Sequence, residues 1–123
     1  MNLVILRGNL TRDPELRTID QDNGRSISVI NFTVAVNREY TKTNGVKDKV
    51  VSYIPCEAWD TGAELIAESF RKGDLVFVEG SMRNDKWEKD GVKHSTMKVR
   101  VNNFSKITKL RKKDVQQAES VAF

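Results

Sequence analysis

The chain has 123 residues, enough for one domain with a modest core. Its composition, 38% hydrophobic and 31% charged, is that of a globular protein with a wet surface, and no apolar run approaches the ~18–20 residues that cross a bilayer. The net charge of +4 and the pI near 9.3 permit a polyanionic partner without requiring one, and the single cysteine, Cys56, excludes an internal disulfide and fits a reducing compartment.

The start, Met1 to Arg7, lacks the basic n-region and long h-region of a signal peptide, so it reads as a first strand. Its apolar run Leu3-Val4-Ile5-Leu6 predicts a central or doubly covered strand ending at Arg7-Gly8-Asn9. Asp13-Pro14 marks a turn, and Asp20 to Arg25 a polar loop. Ile30, Phe32, Val34 and Val36 then alternate with polar or small residues, which is the period of a half-buried strand. Asn44-Gly45 predicts a hairpin turn. On the return strand, Val50, Ser52, Ile54, Cys56 and Ala58 fit a core face, while Tyr53 and Trp59 fall on the opposite parity and point outward. Pro55 introduces an edge or a bulge.

Thr61-Gly62-Ala63-Glu64 matches a capping box, and Ala63, Ile66, Ala67 and Phe70 give one apolar helical face. Arg71 and Lys72 suit the helix C-terminus, with Gly73 as its cap. Leu75 to Val78 predicts a strand buried on both faces, which beyond Gly80 turns polar and carries Arg83 and Trp87 on one side. Asp90-Gly91 is a second hairpin turn. Met97, Val99 and Val101 alternate with Lys98 and Arg100, a last half-buried strand with a basic outer face, and Phe104 and Ile107 finish the core. The order is three strands, a helix and two strands: an all-β, five-stranded Greek-key barrel of the OB-fold type with two long hairpins, over residues 1–108. From Lys109 the composition becomes basic and then polar, and 109–123 is expected to be a mobile tail.

Catalytic signatures are missing. The glycines form no phosphate loop, His94 is the only histidine and is expected at the surface, Cys56 has no partner for zinc, and no serine sits in a nucleophile elbow. The expectation is no enzyme, no metal and no cofactor. Binding is better supported. Arg38, Lys42, Lys47 and Lys49 surround Tyr40 on the first hairpin; Arg83, Lys86, Lys89, Lys93 and Lys98 surround Trp87 on the second. Cations interleaved with aromatics suit single-stranded nucleic acid, since cations neutralise phosphates and rings stack on unpaired bases. Outward aromatics would equally fit a second core or an oligomer interface.

Val4 to Leu10, Asp13-Pro14-Glu15-Leu16-Arg17, Phe32-Thr33-Val34-Ala35, Phe70-Arg71-Lys72-Gly73-Asp74, and Val78-Glu79-Gly80-Ser81-Met82-Arg83 leading to Trp87 occur here in that order. Over about residues 1–107 the chain thereby resembles the bacterial-type single-stranded DNA-binding protein family. The resemblance implies stacking positions at Tyr40, Tyr53, Trp59 and Trp87, with Tyr for the more usual Trp at the first two and Trp for Phe at the third; a ring face survives each change. It also implies a homotetramer wrapped by DNA, acting in replication, recombination and repair in a bacterial cytoplasm or nucleoid. Arg38, Lys42, Lys49, Arg83, Lys86 and Lys98 are the expected phosphate contacts, and Arg7 faces either a subunit interface or the DNA. The alternative is an OB-fold accessory protein of replication restart that acts mainly through protein partners. The chain departs from the family at its end: only Asp114 and Glu119 are acidic there, with Phe123 last. Recruitment of repair enzymes through an acidic tip is therefore not expected of this sequence. It reads either as a short member of the family, of phage or mobile-element origin, or as one whose tail has been removed.

Overall fold

The computed structural model describes residues 1–108; the expected tail, 109–123, lies outside the described residues. Six strand segments and one helix follow in order: β1 (Val4–Leu10), β2 (Glu15–Asp20), β3 (Ser26–Thr41), β4 (Lys47–Trp59), α1 (Asp60–Ser69), β5 (Leu75–Lys89) and β6 (Val92–Lys106). The sheet runs β1-β5-β6-β4-β3-β2, and a β1–β3 pairing closes it. β1 and β2 pair in succession with the same strand: Leu10 lies opposite Val34 and Glu15 opposite Asn31. Residues 11–14 therefore stand against only Thr33 and Phe32, a local excess that interrupts one barrel strand. The barrel accordingly has the expected five strands. The extra segment β2 was hidden because most of its side chains are exposed and need no apolar alternation.

β3 buries Ile30, Phe32 and Val34 on the predicted parity and partly buries Val36. Facing them are Cys56 and Ala58 of β4, Val76 and Val78 of β5, and Val99 and Val101 of β6. Helix α1 covers one end of the barrel with Ala63, Ile66 and Phe70 at its boundary, and Phe70 meets Phe32 and Phe104 edge to face. A single-residue bulge explains how Phe104 joins the odd-numbered core residues of β6. Glu79 pairs with Asn103 but Gly80 with Val101, so Asn102 is surplus and the inward parity changes from odd to even.

Several local expectations are corrected. β1 starts at Val4, after the exposed Leu3, and is buried on one face only, since Ile5 and Arg7 are exposed while Val4 and Leu6 pack against the core. Leu75 and Phe77 are only half-buried, so β5 is fully covered on one face. Val50 and Ser52 keep the core parity but are exposed, because β3 and β4 continue as a hairpin past the end of the barrel. Pro55 does not shift the register, which is continuous from Val29–Trp59 to Thr41–Lys47; β4 pairs with β6 only at Cys56 and Glu57, leaving that side of Pro55 without a ladder to break. The capping box does not form. Trp59 is the N-cap without a side-chain bond, and Glu64 instead accepts from the Ser28 hydroxyl at 3.2 Å. Nor does Gly73 cap the helix, which ends at Phe70. Arg71 supplies the terminal bonds, its guanidinium donating to the carbonyls of Ala67 and Phe70, and Gly73 occupies the following turn with φ +86°.

Two glycines are required by close approach. A Cβ on Gly80 would stand 2.0 Å from the Arg100 carbonyl oxygen, and one on Gly8 2.3 Å from that of Ala35. Both obstacles are backbone on a paired strand and cannot rotate away. Gly80→Ala is expected to destabilise the domain by about 1–3 kcal/mol, lowering Tm by roughly 5 °C or more in a thermal melt. Burial pushes the Cys56 thiol up to about 12. An aqueous disulfide reagent at pH 8 should therefore find no reactive thiol in the native chain and one equivalent after denaturation.

Candidate nucleic-acid interface

The two hairpins β3–β4 and β5–β6 set the site. Each begins inside the barrel, where one face is core, and runs on into solvent, where both faces are exposed. Strand alternation then sorts the candidate residues. Tyr53, Trp59 and Lys49 project from the outer face of β4 in line with Pro55 and Glu57, and β3 contributes Asn31, Thr33 and Ala35 opposite them. Arg83, Asp85 and Trp87 of β5 lie on the same outer side, opposite Lys98, Thr96 and His94 of β6. The outer face thus gathers three of the four predicted aromatics with Lys49, Arg83 and Lys98. Tyr40, Arg38 and Lys42 share the other face of the first hairpin, and Lys86 the other face of the second. The candidate residues are divided between two faces of the projecting arms.

The hairpin tips are defined by their turns. Asp90 and Gly91 both have positive φ, 53° and 77°, which is the two-residue turn that matches strand twist. At the other tip, Gly45 has φ +82° and the Asn44 side chain accepts from the Val46 amide. Near that tip the Lys42 ammonium stands 3.2 Å from Asp48 and the Tyr40 hydroxyl donates to the same carboxylate at 3.4 Å. The Lys49 backbone amide, and then Lys42 and Tyr40, hold the Asp48 carboxyl below its ordinary range.

The aromatics differ in how they are held. Tyr53 is the most open of the four, at 65% exposure, and Trp87 follows at 47%. The Trp87 ring stacks on His94, its cross-strand neighbour, with centroids 5.4 Å apart and planes 16° from parallel. Trp59 is half-buried. The Arg100 guanidinium lies 4.7 Å over its ring, and its indole N–H donates to Glu57 at 2.6 Å. Tyr40 is exposed and half as open as Tyr53.

A groove of about 410 Å³ runs between the link joining β1 to β2 and the second hairpin. Arg12, Asp13 and Glu15 form one wall, Trp87, Asp85 and Lys98 the other, and Asn31, Thr33 and Pro55 line it between them. Its mixed lining suits a planar group laid against Trp87 with polar edges facing Asn31 and Thr33.

Lys98 differs from the other predicted cations. Its ammonium contacts Glu57 at 2.5 Å and also pairs with Asp85, and its side chain is largely buried. Burial opposes its charge, but the two carboxylates overcome that effect and raise its pKa. Glu57 is 4% exposed and is the one charged residue in the core of the described chain. Sequence reasoning placed His94 at the surface and Arg100 on the basic outer face of the last strand, but gave neither of them, nor Glu57, a part in the site. Arg7 is exposed on the outer side of β1 beside Ile5, and its opposite number on β5 is Phe77. Among the described residues no group of histidine, cysteine and carboxylate side chains could hold a metal ion, and no helix is long and apolar enough to cross a membrane.

The sequence matches the Single-strand binding protein family over residues 1–107. It is 38% identical over 119 residues to a single-stranded DNA-binding protein of Lactiplantibacillus plantarum, covering 96% of this chain and 56% of that one. Against the single-stranded DNA-binding protein of Aquifex aeolicus it is 33% identical, covering 97% of this chain and 78% of the other. The crystal structure of a deletion mutant of the single-stranded DNA binding protein from Thermus aquaticus superposes with a TM-score of 0.74 at 30% identity, over 88% of this chain and 51% of that chain. The Plasmodium falciparum SSB in complex with ssDNA gives 0.73 at 18% identity, over 88% of this chain and 96% of that chain, a likeness of fold. The chain therefore spans little more than half the length of the Lactiplantibacillus and Thermus proteins. A five-stranded barrel of this topology, together with a family match over nearly all the described residues, establishes that the chain belongs to the single-strand binding protein family.

Proposed function

We propose that the protein binds single-stranded DNA without strong sequence preference, protecting it and keeping it unpaired during replication, recombination and repair. The observation that carries this reading is the placement of Tyr53, Trp59 and Trp87 on one outer face of two projecting hairpins, with Tyr40 exposed on the reverse of the first. Unpaired bases stack on these four rings. The exposed cations Arg38, Lys42, Lys49, Arg83 and Lys86 take the phosphates. Lys98, expected in that set, contributes differently because two carboxylates already hold its ammonium. Base recognition through ring faces is indifferent to sequence, since every base has such a face. Mechanistically this is binding, with no reaction attached. A homotetramer and a bacterial cytoplasmic setting complete the proposal: the Lactiplantibacillus and Aquifex relatives are bacterial, and Ile5 on β1, with Leu3 just before it, leaves apolar surface for a second copy to cover.

A titration of the full chain with poly(dT), followed by tryptophan fluorescence, tests the reading. Strong quenching at saturation is expected, with log Kd depending on log salt by about 0.7 per neutralised phosphate. Trp87→Ala is expected to weaken binding by about 1–3 kcal/mol, roughly 5- to 150-fold, at fixed salt. Arg83→Ala and Lys49→Ala should each flatten the salt slope by about 0.7 while leaving most of the quenching intact. Unchanged fluorescence at saturating DNA would show that the tryptophans do not stack.

A further inference from the structure

Glu57 is a charged residue inside an otherwise apolar stretch of β4, between the buried Cys56 and Ala58. Its parity directs it outward, yet its side chain is only 5% exposed. Each carboxylate oxygen has its own donor: Oε1 receives the Trp59 indole N–H at 2.6 Å, and Oε2 the Lys98 ammonium at 2.5 Å. Lys98 continues to Asp85, which shares the wall of the groove with Trp87. The chain of contacts therefore joins three strands. It runs from Trp59 at the end of β4, through β6, to the second hairpin. No buried side-chain polar atom among the described residues lacks a partner. The strand register also places Lys98 directly opposite Arg83, a like-charge pair that the two carboxylates offset.

We propose that Glu57 is a positioning residue for DNA binding: with Lys98 as its internal counter-ion, it fixes the Trp59 ring at the angle at which a base stacks. The inference rests on the single-stranded DNA reading above and assigns it a residue that touches no DNA. The indole has one N–H, and bonding it to an immobile acceptor leaves the ring little freedom about its side-chain torsions. Arg100 packs 4.7 Å over the ring and assigns the base to the opposite face. Lys98 is thereby withdrawn from the phosphates. Its ammonium makes the carboxylate tolerable under burial, and Asp85 takes a second of its three N–H donors.

The chemistry of the acceptor gives a direct test. A carboxylate offers two acceptor oxygens, one for each donor; a glutamine offers one oxygen and an N–H₂ that donates. In Glu57→Gln the single oxygen is drawn to the Lys98 cation, and the amide N–H₂ then faces the indole N–H, donor against donor. Removing the competing cation frees the oxygen for the indole. The expected series in the full chain is therefore a loss and a rescue. Glu57→Gln weakens poly(dT) binding about tenfold, the lower part of the range for one stack, and Glu57→Gln with Lys98→Met returns to within about threefold of wild type.

Two readouts separate positioning from simple support of the fold. In a ¹H–¹⁵N spectrum, with Trp87→Phe used for assignment, the Trp59 indole N–H should be downfield and slow to exchange in the wild type. It should move upfield and exchange faster in Glu57→Gln, and recover in the double variant. The salt slope of the double variant should equal that of the wild type, because Lys98 does not neutralise a phosphate. Should Glu57→Gln fail to fold, the wild-type exchange rate and the slope of the double variant carry the test. Wild-type affinity in Glu57→Gln, a fast-exchanging Trp59 N–H in the wild type, or a double variant whose slope is flatter by about 0.7 would each overturn the proposal. A wild-type chain that fails to bind poly(dT) while its Trp59 N–H is protected would instead overturn the binding reading and leave the indole geometry standing.

Discussion

Two antiparallel ladders keep their alternation after they leave the barrel. Along β3–β4 the register is unbroken from Val29–Trp59 to Thr41–Lys47, and along β5–β6 it is continuous from Gly80–Val101 to Lys89–Val92. At the barrel end, alternation divides core from outer face. Farther out it has no core to cover, and both faces of each ribbon become surface. The same two ladders that begin in the interior at Cys56 and at Gly80 thus hold Tyr53 and Trp87 in place, without a separate scaffold for the site.

Closure of the barrel makes this arrangement stable. The short β1–β3 pairing at Asn9 and Leu10, and the parallel contact of β4 with β6 at Cys56 and Glu57, are only two residues long each, but they turn a sheet into a barrel. Both seams involve residues beside the interface. Glu57 is in the second, which explains how a charge came to be buried there: closing β4 against β6 covers the side chain and brings Lys98 to it. Gly8 and Gly80 sit where strands approach too closely for any side chain, so the geometry of closure is written partly in missing atoms.

Much of this was legible in the sequence, for identifiable reasons. Ile30, Phe32 and Val34 could be assigned to the core because period two leaves no ambiguity in a half-buried strand. Tyr53 could be assigned outward by the same rule. What parity cannot say is where the barrel stops, so Val50 and Ser52 were expected inside and are exposed. β2 escaped notice because an edge segment with mostly solvated side chains carries little pattern. The Thr61–Glu64 capping motif was a sound local signal overridden by a tertiary partner, Ser28. The stack of His94 on Trp87 was readable in principle. A two-residue turn at Asp90-Gly91 fixes the register of the hairpin, and counting back from it sets those two residues opposite each other. Glu57 carried a fainter signal, a lone carboxylate between residues of core character. Its partner Lys98 lies on a strand that no local rule connects to it.

Ultraviolet crosslinking of the full chain to an oligo(dT) strand, with the linked residues located by mass spectrometry, shows which side chains the DNA touches. Adducts are expected on the peptides that contain Tyr53, Trp59 and Trp87, with Tyr40 joining them if the strand passes around the first hairpin. Adducts confined to other parts of the surface, with those rings unmodified, would contradict the claim that the projecting ladders are where unpaired DNA lies.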